Sequence, residues 1–230
     1  MSTFKQKLGP INPELTQRFI QEIKTQKSEL VEVDGVTIRT CKDVFPPRSD
    51  FSRSSEHLHQ IFGDLKGAEV LDMGTGTGIQ AIQAAKAGAR HVTGLDINPA
   101  AVICAQENVG TNQLSDRIVI RHSDLFSALG DNEKFDLIIA NLPITDFPIE
   151  GIVESAVYDP GYRLHQKFLA DAKAHLKSGG GIVMTHIDFK GDGDFEEFER
   201  MVTSYGYNIS DFIEIEDIGY HWRMYRIVAK

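Results

Sequence analysis

The chain has 230 residues, 41% of them hydrophobic and 25% charged, which is typical of a globular protein that folds in water. This length suits one large domain with a modest N-terminal extension and its own buried core. No stretch approaches the roughly 18 continuous apolar residues of a membrane span. The N-terminal segment also lacks an apolar run, so we expect neither a membrane anchor nor a signal peptide.

The formal net charge is −9 and the pI is near 5.4. Sequence-independent binding of RNA or DNA depends on Lys and Arg side chains that neutralise phosphates. The acidic balance therefore disfavours nucleic acid as the partner, without excluding a local basic patch, and favours a protein or a small molecule. The sequence does not indicate an oligomeric state.

The two cysteines, Cys41 and Cys104, lie far apart and form no CxxC motif. We therefore expect free thiols in a reducing cytoplasm and no structural zinc site. The eight histidines show no metal-ligand spacing either, so the sequence predicts no metal.

Residues 1–62 predict an extension made of a helix and a β-hairpin. Apolar residues recur at helical spacing near the start, and two alternating segments then flank an Asp-Gly turn, which is a strong hairpin signal. The predicted elements are a helix over Asn12–Lys27, hairpin strands over Glu29–Val33 and Val36–Thr40, a loop over Cys41–Ser55 and a short helix over Glu56–Phe62.

Residues 63–230 show strand–helix alternation, which predicts a Rossmann-like parallel sheet flanked by helices. The last two strands are too closely connected for a helical crossover, so we expect an antiparallel pair at the end of a seven-stranded, mostly parallel sheet. Ser178-Gly179-Gly180 is expected to close a helix, and Asp194 with Glu197 to form a capping box. The predicted strands are Ala68–Met73, His91–Ile97, Ile118–Arg121, Phe135–Ala140, Gly181–Ile187, Tyr207–Ile215 and Trp222–Val228; the helices are Gly78–Gly88, Pro99–Gly110, Tyr162–Lys177 and Asp194–Tyr205.

The central motif is a short apolar strand that runs into three alternating glycines and then a helix. Glycines are required where the backbone turns sharply and approaches a ligand without Cβ atoms in the way. The spacing is GxGxG and differs from the GxGxxG of dinucleotide sites, because Ile79 stands where the last glycine would be. Asp72 would repel a pyrophosphate but attract the ammonium group of a methionine moiety. The motif reads Val70-Leu71-Asp72-Met73-Gly74-Thr75-Gly76-Thr77-Gly78.

Acidic residues also stand at the ends of the next two predicted strands. Asp96 ends the second strand, where a carboxylate can accept both hydroxyls of an adenosine ribose. Asp124 follows the third strand, where a polar side chain can bind the adenine amino group. Ile97 and Leu125 would cover the two faces of the adenine ring. A structural turn would explain the glycines alone, but the strand-end aspartates together favour a ligand site.

This ordered set of motifs resembles the class I S-adenosylmethionine-dependent methyltransferases, and the resemblance covers Ala68 to the C-terminus. It implies S-adenosylmethionine as the cofactor. By this resemblance, Asp72, Gly74 and Gly76 would contact the amino acid part of the cofactor. Asp96 would bind the ribose, and Asp124 the adenine.

Strand four ends in Asn141-Leu142-Pro143-Ile144, which resembles the Asn-Pro-Pro-aromatic motif of methyltransferases acting on glutamine amides, adenine N6 or guanine N2. The segments Val44–Arg48 and Glu56–Leu58 are similar to those that precede the cofactor domain in release-factor glutamine methyltransferases. The resemblance implies Asn141 and Pro143 as catalytic residues, with Asn141 also beside the cofactor.

Such a motif suits transfer to nitrogen. Displacement at a sulfonium is in-line, so the acceptor nitrogen must point its lone pair at the methyl carbon. The Asn141 side-chain carbonyl and a backbone carbonyl near Leu142 would accept N–H bonds, orient the lone pair and stabilise the developing positive charge. Pro143 would keep the turn rigid.

Two residues depart from the motif: Leu142 replaces the first proline, and Ile144 replaces the aromatic ring that stacks on a planar acceptor. Stacking on a ring contributes about 1–3 kcal/mol per nucleobase, so its loss disfavours a nucleobase acceptor. Phe147 and Tyr158, in the following loop, are the candidate replacement rings.

The sequence therefore predicts an N-methyltransferase acting on a protein glutamine or a similar amide or amine. The alternatives, in order, are a small-molecule amine or amino acid methyltransferase, an RNA base methyltransferase and a cofactor-binding protein without catalysis. Asp72 disfavours a nucleotide-dependent oxidoreductase. Arg48 and Arg53 would bind an acidic group of the acceptor or be solvated charges, and His221-Trp222 would line the acceptor pocket or pack in the core.

Overall fold

The computed structural model describes residues 13–47, 54–188, 193–217 and 220–230. Its helices are α1 (Pro13–Thr25), α2 (Ser54–His57), α3 (Ile79–Lys86), α4 (Pro99–Thr111), α5 (Arg163–Ala172) and α6 (Asp194–Ser204). Its strands are β1 (Leu30–Val33), β2 (Val36–Arg39), β3 (Glu69–Met73), β4 (His91–Asp96), β5 (Ile118–His122), β6 (Phe135–Ala140), β7 (Leu176–Ile187), β8 (Tyr207–Asp217) and β9 (Tyr220–Ala229). Within these ranges, no helix has the length and apolar character needed to cross a membrane.

Seven strands form one sheet in the order β5-β4-β3-β6-β7-β9-β8. The strands from β3 to β7 pair in parallel, and β9 pairs antiparallel with both β7 and β8. The Rossmann-like sheet and its C-terminal antiparallel pair are therefore confirmed. The strand order reverses direction between β3 and β6, and ligands of open α/β sheets bind beyond the carboxyl ends of the strands at such a switch point.

Successive side chains of β3 enter cores on opposite faces of the sheet, because strand side chains alternate. Val70 belongs to the core under α3 and α4, which also includes Ile82 from α3. Leu71 belongs to the core under α5 and α6, together with Phe168 and Phe198. All five of these side chains are at most 1% exposed, so the central strand is covered on both faces and its motif residues are held rigidly.

The N-terminal hairpin forms as predicted and shares the core of the sheet. Asp34 and Gly35 both have positive φ, at 49° and 72°, as a two-residue hairpin turn requires. Ile38 of β2 is fully buried in the same cluster as α3 and α4. Helix α1 packs elsewhere, where Phe19 contacts a cluster formed with the loop after β6.

Contrary to the prediction, Ser178-Gly179-Gly180 does not close a helix. Helix α5 ends at Ala172, and β7 already begins at Leu176. A Cβ on Gly180 would lie 2.9 Å from the carbonyl oxygen of Phe135 on the neighbouring strand. These glycines therefore allow a close backbone approach where the β6–β7 register shifts.

The capping box expected at Asp194 is also wrong. Gly193, at φ 107°, occupies the N-cap of α6, and Asp194 is the first helical residue. Its buried carboxylate lies 3.4 Å from both the Tyr162 hydroxyl and His186 Nε2. The side chain thus enters a buried polar cluster instead of capping its helix.

The two cysteines expected to be free thiols form a disulfide, with Cα atoms 6.1 Å apart. The hairpin folds back on α4, which brings residues separated by 63 positions together. Asn108 of α4 strengthens this contact, since its Oδ1 accepts from Arg39 N at 2.7 Å and its Nδ2 donates to Arg39 O at 3.0 Å. This long-range docking brings together two cysteines whose spacing alone gave no sign of pairing.

Candidate active site

The glycine-rich loop leaves β3 in a tight turn that crosses to β4. Gly74, Gly76 and Gly78 all have positive φ, at 71°, 55° and 82°. The backbone amides of Gly74 and Thr75 donate to the carbonyl oxygen of Leu95, at 2.8 and 2.9 Å. A side chain larger than glycine is disfavoured at each of these conformations. The exposed Gly74 therefore offers a bare backbone surface at the end of the sheet.

Asp72 lies beneath this loop and is only 1% exposed. Its Oδ2 accepts from the Thr75 hydroxyl at 2.6 Å and from Ala81 N at 3.1 Å, so it ties the loop to the first turn of α3. Burial raises the pKa of Asp72 to about 7, against the effect of these two hydrogen bonds, which lower it. The Asp72 carboxyl group therefore gains or loses its proton near neutral pH.

Asp96 is half-buried at the end of β4 and meets the same loop from the other side. Its Oδ2 accepts from Gly76 N at 2.8 Å, and its Oδ1 accepts from Asn98 N at 2.9 Å. Burial raises the pKa of Asp96, while these amide hydrogen bonds lower it. Each carboxylate oxygen keeps a further lone pair, so the group can still accept hydroxyl donors.

The residues predicted to enclose adenine differ in exposure. Ile97 is 45% exposed, which is unusual for a large apolar side chain beside a polar site. Leu125 is buried and has φ 47°, a conformation that costs energy in a β-branched or bulky residue. Asp124 is exposed and forms an ion pair with Lys167 Nζ at 3.2 Å. A bare glycine loop, a carboxylate and an exposed apolar side chain together fit an adenosine with an amino acid tail.

Asn141 follows β6 on the other side of the switch point. Ala140 pairs with Met73 of β3, so Asn141 stands one residue beyond the sheet, level with Gly74. A Cβ on Gly74 would lie 3.7 Å from Leu142 Cδ2, so the two segments are close neighbours. The motif after β6 and the glycine loop thus lie side by side at the carboxyl end of the sheet.

The amide of Asn141 is held on both sides by hydroxyl groups. Its Oδ1 lies 2.7 Å from Thr185 Oγ1, and its Nδ2 lies 3.1 Å from Ser54 Oγ and 3.4 Å from Ser55 Oγ. Sequence reasoning missed these three partners. Thr185 could have been found only from the β6–β7 register, which places it beside Asn141, whereas nothing in the sequence connects the two serines with that residue.

The rest of the motif faces elsewhere. Ile144 is 9% exposed and packs in the main core with Trp222, so the position that holds an aromatic ring in the resembling motif is a core position here. Pro143 is half-buried. The rings of Phe147 and Tyr158 lie 5.6 Å apart within the cluster that α1 covers. Both candidate replacement rings therefore contribute to packing between α1 and this loop.

The comparisons with known proteins identify the family. A family model described as ribosomal protein L11 methyltransferase (PrmA) matches residues 55–157. A putative protein N5-glutamine methyltransferase of Methanocaldococcus jannaschii is 30% identical over 169 residues, covering 71% of this chain and 82% of that protein. The chain belongs to the class I S-adenosylmethionine-dependent methyltransferases. The resemblance found in the sequence is thus confirmed, together with the enzyme class and the cofactor.

The methyltransferase is also similar to a longer protein and to a solved structure of about the same length. A release factor glutamine methyltransferase of Rhodopirellula baltica is 31% identical over 175 residues, and the match covers 66% of this chain and 57% of that protein. The crystal structure of a ribosomal protein L11 methylase from Lactobacillus delbrueckii subsp. bulgaricus has the same fold, with a TM-score of 0.59 and 22% identity, covering 81% of each chain.

Two other candidate residues of the methyltransferase, His221 and Trp222, are described and do not join this site. Trp222 is 4% exposed in the core, as the packing alternative predicted, and the exposed His221 lies 3.8 Å from Glu214. Arg48 and Arg53 lie outside the described residues. Among the residues that the structure describes, no three His, Cys, Asp or Glu side chains are grouped to hold a metal ion.

Proposed function

We propose that this methyltransferase transfers a methyl group to an amide nitrogen of a protein, with glutamine as the acceptor side chain. The observation that carries the proposal is Asn141, whose amide is fixed beside the glycine loop at the switch point of the sheet. The similarity to a protein named as a glutamine methyltransferase supports the acceptor class.

An amide nitrogen is a weak nucleophile, because its lone pair is delocalised into the carbonyl group. Two carbonyl oxygens that accept its N–H bonds would raise the electron density on nitrogen and aim the lone pair along the line of displacement. We assign these roles to Asn141 Oδ1 and to the backbone carbonyl of Leu142, with Pro143 keeping the turn rigid. When bound, S-adenosylmethionine would supply the electrophilic methyl group: its S–CH₃ bond would break as the N–CH₃ bond forms, the sulfur would leave as a neutral thioether, and one amide N–H proton would pass to water.

The cofactor would lie along the carboxyl ends of β3, β4 and β5. In this proposal the backbone at Gly74 and Gly76 contacts the amino acid part of the cofactor, and the charge of Asp72 beneath the loop attracts its ammonium group. Asp96 accepts the ribose hydroxyls. The remaining contacts are with adenine and come from Ile97, Asp124 and Leu125.

The motif itself favours an amide over a nucleobase. Because Ile144 is a core residue, the motif supplies no exposed ring on which a base could stack. The net charge of −9 also opposes binding to phosphates. A protein segment that extends into the site needs neither feature, because it can be bound through its backbone.

The experiment that tests the proposal supplies tritium-labelled S-adenosylmethionine with three separate acceptors: a peptide-chain release factor, ribosomal protein L11 and an unmodified transfer RNA. Mass spectrometry then locates the methyl group in any labelled protein. We expect label in a protein, on the side-chain nitrogen of a glutamine. Label only in the RNA, or on an oxygen or carbon atom of the protein, would contradict the proposal.

A further inference from the structure

We propose that Thr185 is a positioning residue for methyl transfer: its hydroxyl fixes the Asn141 amide so that Oδ1, and not Nδ2, faces the acceptor nitrogen. This inference rests on the proposed function, because it concerns how Asn141 performs its role. Thr185 is completely buried in β7, so it acts through Asn141 and does not touch an acceptor.

The sheet itself places the two side chains together. Ala140 pairs with Met184 in the parallel β6–β7 ladder, so the next residues, Asn141 and Thr185, stand side by side at the carboxyl ends of their strands. Thr185 belongs to the rigid centre of the sheet, since β9 pairs with β7 on its other side, where Thr185 is opposite Met224. The Thr185 hydroxyl therefore has a fixed location beside the Asn141 amide.

The distances assign the orientation of the amide. The 2.7 Å contact between Thr185 Oγ1 and Asn141 Oδ1 matches an O–H···O bond, which is shorter than a typical N–H···O bond. The contacts of Nδ2 with Ser54 and Ser55, at 3.1 and 3.4 Å, suit the longer N–H···O bonds, and an NH₂ group has one hydrogen for each hydroxyl. Thr185 therefore donates to the oxygen, and the serines accept from the nitrogen.

The orientation matters for the chemistry. A flipped amide would point N–H donors at the acceptor nitrogen and compete for the lone pair that must attack the methyl carbon. In the observed orientation, Thr185 uses one lone pair of Oδ1 and leaves the other for an acceptor N–H. The two serines keep Nδ2 occupied, so the same amide cannot turn its donors toward the acceptor.

The kinetic test compares Thr185→Val, which keeps the shape but removes the hydroxyl, with Thr185→Ser, which keeps the hydroxyl. On the protein acceptor identified above, we expect Thr185→Val to lower kcat about tenfold, the scale of one lost hydrogen bond, without a change in the Kd for S-adenosylmethionine. Thr185→Ser should stay within about twofold of the parent. The double variant Asn141→Ala/Thr185→Val should be no slower than Asn141→Ala alone.

A second measurement needs no acceptor. The side-chain amide of Asn141 gives a pair of ¹⁵N–¹H resonances, identified by their absence in Asn141→Ala, and Thr185→Val should shift this pair whereas Thr185→Ser should leave it in place. The role of Thr185 is overturned if the resonance pair is unchanged in Thr185→Val, or if kcat is unchanged in that variant while Asn141→Ala is inactive. Either result leaves the proposed function intact. Full activity of Asn141→Ala overturns the proposed function and, with it, the catalytic part of this inference.

Discussion

Asp72 and Asp96 approach the glycine loop from opposite sides but differ in what they offer a ligand. Asp72 is enclosed and binds Thr75 and Ala81, whereas Asp96 is half-buried and retains free acceptor capacity. Their location at the ends of two strands could be predicted from the sequence. Their different burial could not, because it depends on how the loop folds over β3 and β4.

Replacing Asp96 tests the ribose contact. We expect Asp96→Ala to weaken S-adenosylmethionine binding by about 1–3 kcal/mol, because two hydroxyls lose a charged acceptor. Titration calorimetry measures the effect, and Asp131→Ala, at an exposed site elsewhere, is the matched control. NADH should bind neither protein. An unchanged Kd in a folded Asp96→Ala variant would remove Asp96 from the cofactor site.

The raised pKa of Asp72 predicts a pH dependence of cofactor affinity. Because burial raises the pKa of Asp72 to about 7, part of this carboxyl group is protonated at neutral pH in the cofactor-free enzyme. Ionised Asp72 attracts the cofactor ammonium, so affinity should rise as the Asp72 carboxyl group ionises between about pH 6 and 8. Because the pKa of Asp72 is raised in the folded state, the free energy of unfolding of the cofactor-free enzyme should fall as pH rises from about 4 to 7.

The matched ligand for this test is 5′-methylthioadenosine, which lacks the amino acid part and its ammonium group. Its affinity should not follow the ionisation of Asp72, and Asp72→Asn should flatten the pH profile of S-adenosylmethionine. Parallel pH profiles for the two ligands in the parent enzyme would show that Asp72 does not sense the ammonium.

At the scale of elements, replacing a glycine by alanine should have opposite effects on stability in β4 and in α4. A Cβ on Gly94 in β4 would lie 2.5 Å from Ile120 Cδ1 and 2.9 Å from Thr75 Oγ1, whereas a Cβ on Gly110 in α4 meets nothing within 4 Å. We expect Gly94→Ala to lower the free energy of unfolding by about 1–3 kcal/mol through overpacking. Gly110→Ala should raise it by about 0.5–1 kcal/mol, because alanine is the better helix former. Urea denaturation measures both, and effects of the same sign would contradict this account of the packing.

The disulfide between the hairpin and α4 should stabilise the fold. Loop-closure entropy for a separation of 63 residues corresponds to about 4 kcal/mol in the unfolded-chain model. Unfolding in urea should therefore require less denaturant after reduction with dithiothreitol. The variant Cys41→Ser/Cys104→Ser is the control and should not respond to the reductant. Equal stability of the oxidised and reduced parent protein would show that the bond contributes nothing.

At the scale of the whole molecule, periodicity and turn residues were enough to predict the strand–helix order and the hairpin. The helix end predicted at Gly179 and Gly180 was wrong, because glycine occurs both at helix ends and in strands that need close backbone contact. The disulfide could not be predicted because it joins segments that are distant in sequence, and the Thr185 contact could be found only from the strand register. Local pattern therefore predicts the strand ends and the glycine loop better than the contacts around Asn141.

In the proposed site, the N-terminal extension contributes residues to the acceptor half. Helix α1 packs on the loop after β6, and Lys24 Nζ lies 2.6 Å from Glu154 Oε1 within that contact. The serines that hold Asn141 are the first two residues of α2. The extension and the C-terminal part of the chain therefore meet at Asn141, where we propose that the acceptor binds.

The central claim is that Asn141 orients a nitrogen for methyl transfer. The turnover of Asn141→Ala on the acceptor protein tests this claim most directly. We expect a fall of about 100-fold or more in kcat, the scale of losing one preorganised polar contact at the reacting centre. The Kd for S-adenosylmethionine should change by less than about tenfold, and the circular dichroism spectrum should be unchanged. Near-normal turnover in this folded, cofactor-binding variant would show that Asn141 only ends a strand.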